Sequence, residues 1–212
     1  MPESGAIQTS LEAGLRALGE DPLQHPCDSY IAYINLLEKW NKAYNLSGIK
    51  QKEQMLTLHV LDSLSVLPFL NGSFGLDVGT GAGLPGFILA LARPDMHWVL
   101  LDSNQKKTTF LNQAILELGP ENIEVVRSRV EDYRSEQSFS TIICRALMSA
   151  PTFCELAEPL LDRNGRILMM KATAVEEESR EIDLLRYSAK VQPLKVPELD
   201  ASRQLLVIER KS

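Results

Sequence analysis

Residues 75–86, GLDVGTGAGLPG, form a glycine-rich segment whose residue types and spacing are suited to holding a small ligand. A short apolar run leads to a carboxylate, Asp77, and glycines follow at positions 79, 81, 83 and 86. Glycines let a backbone turn sharply and approach a ligand closely. A turn that only packs a helix against a strand could have the same composition. Because the segment opens the first of several strand–helix units, its position favours a binding loop.

Two classes of ligand fit this loop. Residues 81–86 match the GxGxxG pattern of dinucleotide-binding loops, in which a pyrophosphate sits on the N-terminus of a helix. Residues 77–83 match the DxGxGxG pattern of loops that bind S-adenosylmethionine (SAM). Asp77 would repel phosphates, and Pro85 removes a backbone donor near the start of the helix. SAM has no phosphate, and its ammonium suits Asp77 while its carboxylate suits the glycine N–H groups. SAM is therefore favoured, and an NAD(P)-dependent oxidoreductase remains the alternative.

Acidic residues follow the next two predicted strands. Asp102 comes directly after HWVLL, where a carboxylate can accept hydrogen bonds from ribose hydroxyls in either kind of site. The same residue could instead cap the helix that follows. Glu131 and Asp132, after the third strand, could contact an adenine edge or be solvated loop acids. The ordered set favours SAM, and the predicted cofactor contacts include the neighbouring Thr80 and Ser103.

Alternating strands and helices position these residues. The predicted strands are FGLDV, HWVLLD, IEVVR, STIIC and GRILMMK, followed by AKVQPLKV and QLLVIER. The predicted helices are LPGFILALA, NQKKTTFLNQAILELG, APTFCELAEPLL and an acidic stretch at 175–187. This rhythm predicts an α/β fold with a doubly wound, mostly parallel sheet. A closing hairpin would make the last strand antiparallel.

The first 72 residues are predicted to form a helical cap. Apolar residues recur every three or four positions from Tyr30 to Tyr44, as on an amphipathic helix, and a second apolar segment covers 59–70. Trp40 and Tyr44 are expected to pack in the core rather than to stack on bases. We therefore predict an N-terminal helical cap at 1–72 and a SAM-binding core at 73–212, joined in one compact unit.

The overall charge and composition restrict the possible partners. The net charge is −6 and the pI about 5.2, which argues against autonomous, charge-driven binding of nucleic acid. The sequence has no apolar run of membrane-spanning length and no secretory signal, so we expect a cytoplasmic protein without a membrane partner. Three irregularly spaced cysteines and three histidines predict neither a disulfide framework nor a metal site.

Several segments together resemble one enzyme family. DVGTGAGLPG is followed by LLDSNQKKTTFL, RVEDY, IICRAL and LMMK, and it is preceded by YINLLEKWNKAYNLSGI and HVLDSL. This series, over about residues 30–172, resembles the bacterial 16S ribosomal RNA guanine-N7 methyltransferases, also called the glucose-inhibited division protein B family. The family commonly has Asp, Ser and Gly where this chain has Ser140, Cys144 and Ala172. None of these differences lies in the glycine loop.

The resemblance implies a class I SAM-dependent methyltransferase that makes 7-methylguanosine in the decoding-region loop of 16S rRNA. Its cofactor would be S-adenosyl-L-methionine, and its partner 16S rRNA within a small ribosomal subunit or its precursor; we expect a monomer. By the family pattern, the residues at cofactor-contacting positions are Gly79, Leu84, Val130, Glu131 and Arg145. Those at basic positions of the active-site and RNA face are Lys106, Arg129 and Arg145. The complete predicted cofactor set is Asp77, Gly79, Thr80, Gly81, Gly83, Leu84, Asp102, Ser103, Val130, Glu131 and Arg145.

Methylation of guanine N7 would make few chemical demands on the protein. N7 has an in-plane lone pair, so transfer depends on in-line orientation more than on a general base. The sequence lacks the Asn/Asp-Pro-Pro-aromatic motif used for exocyclic amines and the Pro-Cys nucleophile used for pyrimidine carbon 5. Arg145, after the fourth strand, is predicted to be the catalytic residue that orients the guanine or its phosphate by forked hydrogen bonds. An exposed loop arginine in a salt bridge is the alternative.

The roles of two residues in the cap, and the type of acceptor, stay open. His59 and Asp62 are three residues apart and share a helical face. They could line the pocket or fix the cap against the core, and the structural role is favoured. Methylation of another RNA atom or of a small molecule is an alternative function. A catalytically silent binding module for ribosome assembly is another.

Overall fold

The computed structural model describes residues 2–145, 148–172, 179–180, 182–183 and 185–211. One sheet contains the strands β1 (Phe74–Val78), β2 (His97–Leu101), β3 (Ile123–Val126), β4 (Phe139–Arg145), β5 (Leu161–Lys171), β6 (Tyr187–Leu194) and β7 (Arg203–Arg210). Their order is β3-β2-β1-β4-β5-β7-β6. Strands β1 to β5 run parallel, and β7 is antiparallel to both of its neighbours. The predicted mostly parallel sheet with an antiparallel last strand is confirmed.

The strand order determines where a ligand can bind. β1 lies between β2 and β4, so the chain leaves the centre of the sheet in opposite directions from this point. In open α/β sheets such a switch point forms a crevice at the carboxyl ends of the strands. β1, β2 and β4 are almost wholly buried, as expected of parallel strands covered by helices on both faces.

The helices are α1 (Pro2–Leu18), α2 (Cys27–Tyr44), α3 (Lys52–Met55), α4 (Asp62–Leu64), α5 (Gly86–Ala92), α6 (Gln105–Leu118) and α7 (Ala150–Ala157). A wider π-type segment, Leu56–Leu61, joins α3 to α4 and was not predicted. Short 3₁₀ turns occur at Pro22–Gln24, Leu67–Phe69 and Glu158–Leu160. Among the helices of the described ranges, none combines the length and the apolar character needed to cross a membrane.

The ends of α5 and α6 show how local chemistry sets the boundaries. The Asn104 side chain accepts hydrogen bonds from the first backbone N–H groups of α6, so the alternative that Asp102 caps this helix is wrong. Gly119 ends α6 in the left-handed conformation, with φ at 72°. α5 begins at Gly86, later than the predicted segment LPGFILALA, because Pro85 occupies the cap position.

The tail of the chain differs in part from the prediction. Of the expected acidic helix at 175–187, residues 175–178, 181 and 184 lie outside the described part of the chain. Tyr187 is the first residue of β6 and pairs with Arg210 of β7, so the prediction is wrong at that end. The predicted strands AKVQPLKV and QLLVIER correspond to β6 and β7.

The N-terminal helical region packs on α5 and α6 through aromatic rings of α2. Tyr33 stacks on Phe87 of α5, with 5.1 Å between ring centroids. Trp40 meets Phe110 of α6 edge-on at 5.8 Å, which confirms its predicted core packing. Tyr44 rests on the Trp40 ring but is 46% exposed, so its predicted place in the core is wrong. Tyr33, Trp40, Phe87 and Phe110 belong to one hydrophobic cluster that joins the N-terminal helices to α5 and α6.

Candidate active site

The glycine loop between β1 and α5 takes its shape from three glycines in the left-handed region. Gly79, Gly81 and Gly83 have φ angles of 69°, 64° and 96°, which side chains other than glycine rarely adopt. At Gly83 there is also no room for a side chain, since a Cβ would lie 2.7 Å from Leu111 and 2.9 Å from Phe87. The loop therefore requires glycine for both backbone conformation and close packing.

The backbone N–H groups of the loop already donate hydrogen bonds to carbonyls of the protein. The N–H groups of Gly79 and Thr80 donate to the Leu101 carbonyl at 2.8 and 3.0 Å, and those of Gly83 and Leu84 donate to the Thr80 carbonyl, both at 2.9 Å. The expectation that these groups are free to receive a cofactor carboxylate is wrong for this conformation. The loop offers a preformed shape rather than a set of free donors.

Asp77, at the end of β1, is enclosed beneath this loop. Its Oδ2 accepts hydrogen bonds from the Thr80 hydroxyl (2.6 Å) and the Gly86 N–H (2.8 Å). Oδ1 is buried and has no partner among the described residues. Burial raises the pKa of Asp77 to about 6, although the two hydrogen bonds favour the ionised form. Asp77 holds the loop in shape, and its side chain is fully buried in this structure.

A cavity of about 370 Å³, here called the glycine-loop cavity, opens at the carboxyl ends of β1, β2 and β3. Its lining residues are Val78, Gly79, Leu101, Asp102, Ser103, Asn104, Lys107, Ser128, Arg129, Val130, Glu131 and Met148. The cavity thus brings together several residues predicted from separate strand ends. Other predicted cofactor residues lie outside its lining; they are Asp77, Thr80, Gly81, Gly83, Leu84 and Arg145.

Asp102 is the most firmly oriented acid of this cavity. Its Oδ2 accepts a hydrogen bond from the Gly81 N–H at 2.9 Å, and its Oδ1 accepts one from the Asn104 N–H at 2.8 Å. The Lys107 ammonium lies 3.5 Å from Oδ2. A carboxylate has about four acceptor sites, so lone pairs remain for two further donors. This arrangement can receive the paired hydroxyls of a ribose.

A second cavity, also of about 370 Å³, lies beside the end of β4 and is here called the Arg145 cavity. Its lining residues are Ser47, Gly48, Ile49, Leu58, His59, Asp62, Arg145, Met170, Lys171, Ala172 and Arg203. The wall between the two cavities includes a hydrogen bond from the Lys171 ammonium to the Met148 carbonyl, at 2.9 Å. Because Met148 lines one cavity and Lys171 the other, the two sites are neighbours.

Asp62 joins three separate elements at the Arg145 cavity. Its Oδ2 lies 3.6 Å from Arg145 at the end of β4, and its Oδ1 accepts a hydrogen bond from Arg203 of β7 at 3.2 Å. Arg145 also donates to the Leu58 carbonyl at 3.3 Å. Burial raises the pKa of Asp62, and the two guanidinium groups oppose that rise. Arg145 is thus an ion-paired residue whose partner is a buried carboxylate facing a cavity.

His59 is neutral in this arrangement. Its Nδ1 lies 3.0 Å from the Leu58 carbonyl, which can only accept, so Nδ1 carries the proton. Nε2 then accepts a hydrogen bond from the Ser47 hydroxyl at 2.8 Å. Burial and the nearby charge of Arg145 lower the pKa of His59 to about 4. His59 and Asp62 therefore both line a cavity. Asp62 also ties the N-terminal region to β4 and β7, whereas the hydrogen bonds of His59 stay within that region.

The buried state of His59 predicts a measurable pH dependence. Folded protein keeps His59 neutral down to about pH 4, whereas the unfolded chain takes up the proton below about 6.5. The unfolded state therefore binds more protons between these values, and stability falls as the pH falls. Relative to His59→Gln, the wild type should lose about 3 kcal/mol of unfolding free energy between pH 7 and pH 4.

Urea unfolding of the wild type and of His59→Gln, measured between pH 7 and pH 4, checks this prediction. Asp77 has a raised pKa and acts in the opposite direction, losing stability as the pH rises from about 4 to 6. Both proteins contain Asp77, so its contribution cancels in the difference. Parallel stability curves for the two proteins would show that His59 titrates normally.

The structure separates the predicted basic residues. Lys106 lies exposed in the first turn of α6, and Arg129 is exposed at the glycine-loop cavity. Arg145 faces the other cavity. Sequence reasoning missed Arg203 and Ser47, which complete the Arg145 cavity. Arg203 is 141 residues from Asp62 in the chain, so no local pattern could have paired them.

Comparison with known proteins identifies the family of this chain. A family model described as "GidB: rRNA small subunit methyltransferase G" matches residues 27–207. The chain is 43% identical over 202 residues to a Methylobacillus flagellatus protein, which covers 95% of this chain and 98% of that one. It is 47% identical over 196 residues to a Nitrosococcus oceani protein, with 92% of each chain covered. Both relatives are named ribosomal RNA small subunit methyltransferase G.

Solved structures support the fold. An rRNA methylase from Streptococcus thermophilus matches with a TM-score of 0.50 and 17% identity, covering 72% of this chain and 94% of that one. A precorrin-6y C5,15-methyltransferase from Geobacter metallireducens matches with a TM-score of 0.55 and 13% identity, covering 80% and 92%. Their similarity to this chain is one of fold alone. The sheet and its strand order are those of the class I SAM-dependent methyltransferases, and the chain belongs to the GidB family, rRNA small subunit methyltransferase G.

Proposed function

We propose that this SAM-dependent rRNA methyltransferase modifies N7 of a guanine in the decoding-region loop of 16S rRNA. We choose N7 as the acceptor atom because the two residues of the Arg145 cavity that could act as a base already have partners. His59 Nε2 already accepts a hydrogen bond from Ser47, and Asp62 is paired with two arginines. Among the described residues that line this cavity, neither His59 nor Asp62 is available as a base, which suits guanine N7 because N7 has a lone pair and no proton to remove.

The glycine-loop cavity fits the chemistry of SAM. Asp102 is oriented to accept hydrogen bonds from the ribose, and the largely buried Val130 beside Glu131 offers an apolar surface and an acceptor to the adenine. Gly79 directly follows β1 and lines the cavity where the methionine part of SAM would lie, above the buried Asp77 that holds the loop in shape. Bound SAM supplies an electrophilic methyl group on sulfonium.

Arg145 is the proposed catalytic residue. Its guanidinium is fixed at the side of the cavity by Asp62 and the Leu58 carbonyl, and its side chain is 32% exposed. The remaining donors can form forked hydrogen bonds to guanine O6 or to the phosphate. Orientation of the base in line with the methyl group supplies the rate enhancement, since a well-placed pair of reactants can gain several kcal/mol.

The charge distribution favours a large structured RNA as the substrate. The protein carries a net charge of −6, and its exposed cations Lys106 and Arg129 lie close to the glycine-loop cavity. Repulsion of a polyanion elsewhere on the surface limits affinity for short naked RNA. We propose that the substrate is 16S rRNA within a small ribosomal subunit or its precursor. The enzyme would act as a cytoplasmic monomer in which the cap at 1–72 and the core at 73–212 form one unit.

Methyl transfer to isolated ribosomal subunits tests this function. Small subunits from cells lacking the enzyme are incubated with the protein and tritiated-methyl SAM, and the labelled nucleosides are analysed. We expect 7-methylguanosine, with the label lost in subunits that are already methylated. A different labelled nucleoside would refute the choice of N7. Calorimetry separates the other classes, since binding of NADH but not S-adenosylhomocysteine would favour an oxidoreductase.

A further inference from the structure

We propose that the Arg145 cavity binds the target base itself, extruded from the RNA stack, and that the loop at 47–49 forms the entrance rim. This inference rests on the proposed function and adds to it the place and the manner of acceptor binding. Enzymes that modify a base inside folded nucleic acid must take it out of the stack into a pocket. The pocket must then hold the two faces of the ring and read its edges.

The walls of the cavity suit a flat aromatic ligand. Ile49, Leu58 and Met170 provide apolar surface, and Arg145 provides hydrogen-bond donors at one side. Small-molecule sites typically combine mostly apolar walls with a few fixed polar groups. The volume of about 370 Å³ lies in the usual range for such sites.

The charge of the cavity suits a nucleotide. Among the described lining residues, the two arginines Arg145 and Arg203 face one carboxylate, Asp62. The positive charge of this pair exceeds that of its partner, which favours a ligand whose base is attached to a phosphodiester backbone. The glycine-loop cavity differs, because its acids Asp102 and Glu131 are proposed to accept hydrogen bonds from the ribose and the adenine. The two neighbouring cavities therefore select different partners.

The entrance rim is rigidly built. Asn41 of α2 accepts a hydrogen bond from the Ser47 N–H at 2.8 Å and donates to the Ile49 carbonyl at 2.9 Å. The Ser47 hydroxyl accepts from the Ile49 N–H at 3.1 Å while bonding to His59 at 2.8 Å. Both flanks of Gly48 are thus held in place. A preorganised rim lowers the cost of ordering the site on binding.

Gly48 is a position at which the rim can be altered by substitution without disturbing the fold. It lies exposed on the cavity lining, and a Cβ at this position would have no heavy atom within 4 Å. Its φ lies outside the left-handed region, so a side chain there causes no backbone strain. Under the proposal, a large side chain at Gly48 narrows the entrance, and the absence of close neighbours leaves the interior unchanged.

The experiment compares Gly48→Leu with Gly5→Leu as a matched control. A Cβ at Gly5, in α1, would also have no heavy atom within 4 Å, and this glycine lies in the cap away from both cavities. Gly48→Leu should lower kcat/KM for small ribosomal subunits by about 10-fold or more. Affinity for S-adenosylhomocysteine and the free energy of unfolding should match the wild type. Normal kcat/KM in Gly48→Leu would overturn the proposal, as would an equal loss in Gly5→Leu.

A second experiment varies the size of the group at position 48 by modifying an introduced cysteine. The three native cysteines are buried, so a thiol introduced by Gly48→Cys can be alkylated selectively. A bulky maleimide should block methylation, a small methylthio group should have little effect, and bound subunits should slow the labelling. Equal activity after both modifications would contradict the proposal.

This test and the test of the proposed function can fail independently. If the wild-type protein makes another methylated nucleoside, the choice of N7 is refuted. Loss of methylation on blocking the rim would still indicate that the target base enters this cavity.

Discussion

Arg145→Ala is expected to lower kcat/KM for methylation of small ribosomal subunits at least about 100-fold, since misplacing a reacting group by about 1 Å can cost that much. The guanidinium is the only predicted catalytic group, and alanine removes all of its donors at the cavity. The fold should survive, because Asp62 keeps its hydrogen bond to Arg203. Steady-state methyl transfer and urea unfolding of the same preparation check both statements.

Two further variants make the result specific to Arg145. Arg145→Lys keeps the positive charge near Asp62 but loses the forked geometry, so it should recover only part of the activity. Arg16→Ala removes a surface arginine of α1 that pairs with Glu12 and should leave turnover unchanged. If Arg145→Ala turned over at a near-normal rate, the residue would be a structural ion-pair partner and the catalytic assignment would fail.

Asp102→Ala is expected to reduce the affinity for S-adenosylhomocysteine by about 100-fold, because hydrogen bonds to a charged group are worth about 1.5–3 kcal/mol each. Alanine removes the acceptors proposed for the ribose hydroxyls. It also leaves the Gly81 and Asn104 N–H groups without the oxygens that now orient the loop. Isothermal titration calorimetry with S-adenosylhomocysteine measures the change directly.

The control lies at the other end of the same strand. Asp95 precedes β2 and pairs with Arg93 at 2.6 Å on the surface, so Asp95→Ala removes a carboxylate without touching the cavity. It should bind S-adenosylhomocysteine like the wild type. Asp102→Asn keeps one acceptor oxygen and should fall between the wild type and alanine. Unchanged affinity in Asp102→Ala would show that Asp102 only braces the loop.

The sequence was sufficient to predict the elements that carry a local pattern. The central strands β1 and β2 are short apolar runs, and the longer helices α2 and α6 have a regular apolar face, so the order of elements and the closing hairpin could be predicted from periodicity. The glycine spacing located the loop because positive φ angles at 79, 81 and 83 require glycine. Asp102 was found for the same reason, since parallel strands bring their carboxyl ends to one edge of the sheet.

Features that depend on distant contacts could not be predicted in this way. Asp62, Arg145 and Arg203 come from three elements that meet only in the folded molecule. The glycine spacing suggested free loop N–H groups, yet the Leu101 and Thr80 carbonyls already accept from them. The π-type segment at 56–61 follows no residue signal that distinguishes it from an ordinary helix.

The position of β7 determines the order in which the two cavities can be completed while the chain is being synthesised. β7 lies between β5 and β6 in the sheet, although it follows both in the sequence. During synthesis β6 leaves the ribosome before the strand that holds it, and Arg203 arrives later still than the whole glycine loop. All residues that line the glycine-loop cavity are therefore synthesised before Arg203, the last residue needed for the Arg145 cavity. Under the proposed assignment of the two cavities, we expect a nascent chain to have the residues for the methyl donor before it has all those for the RNA base.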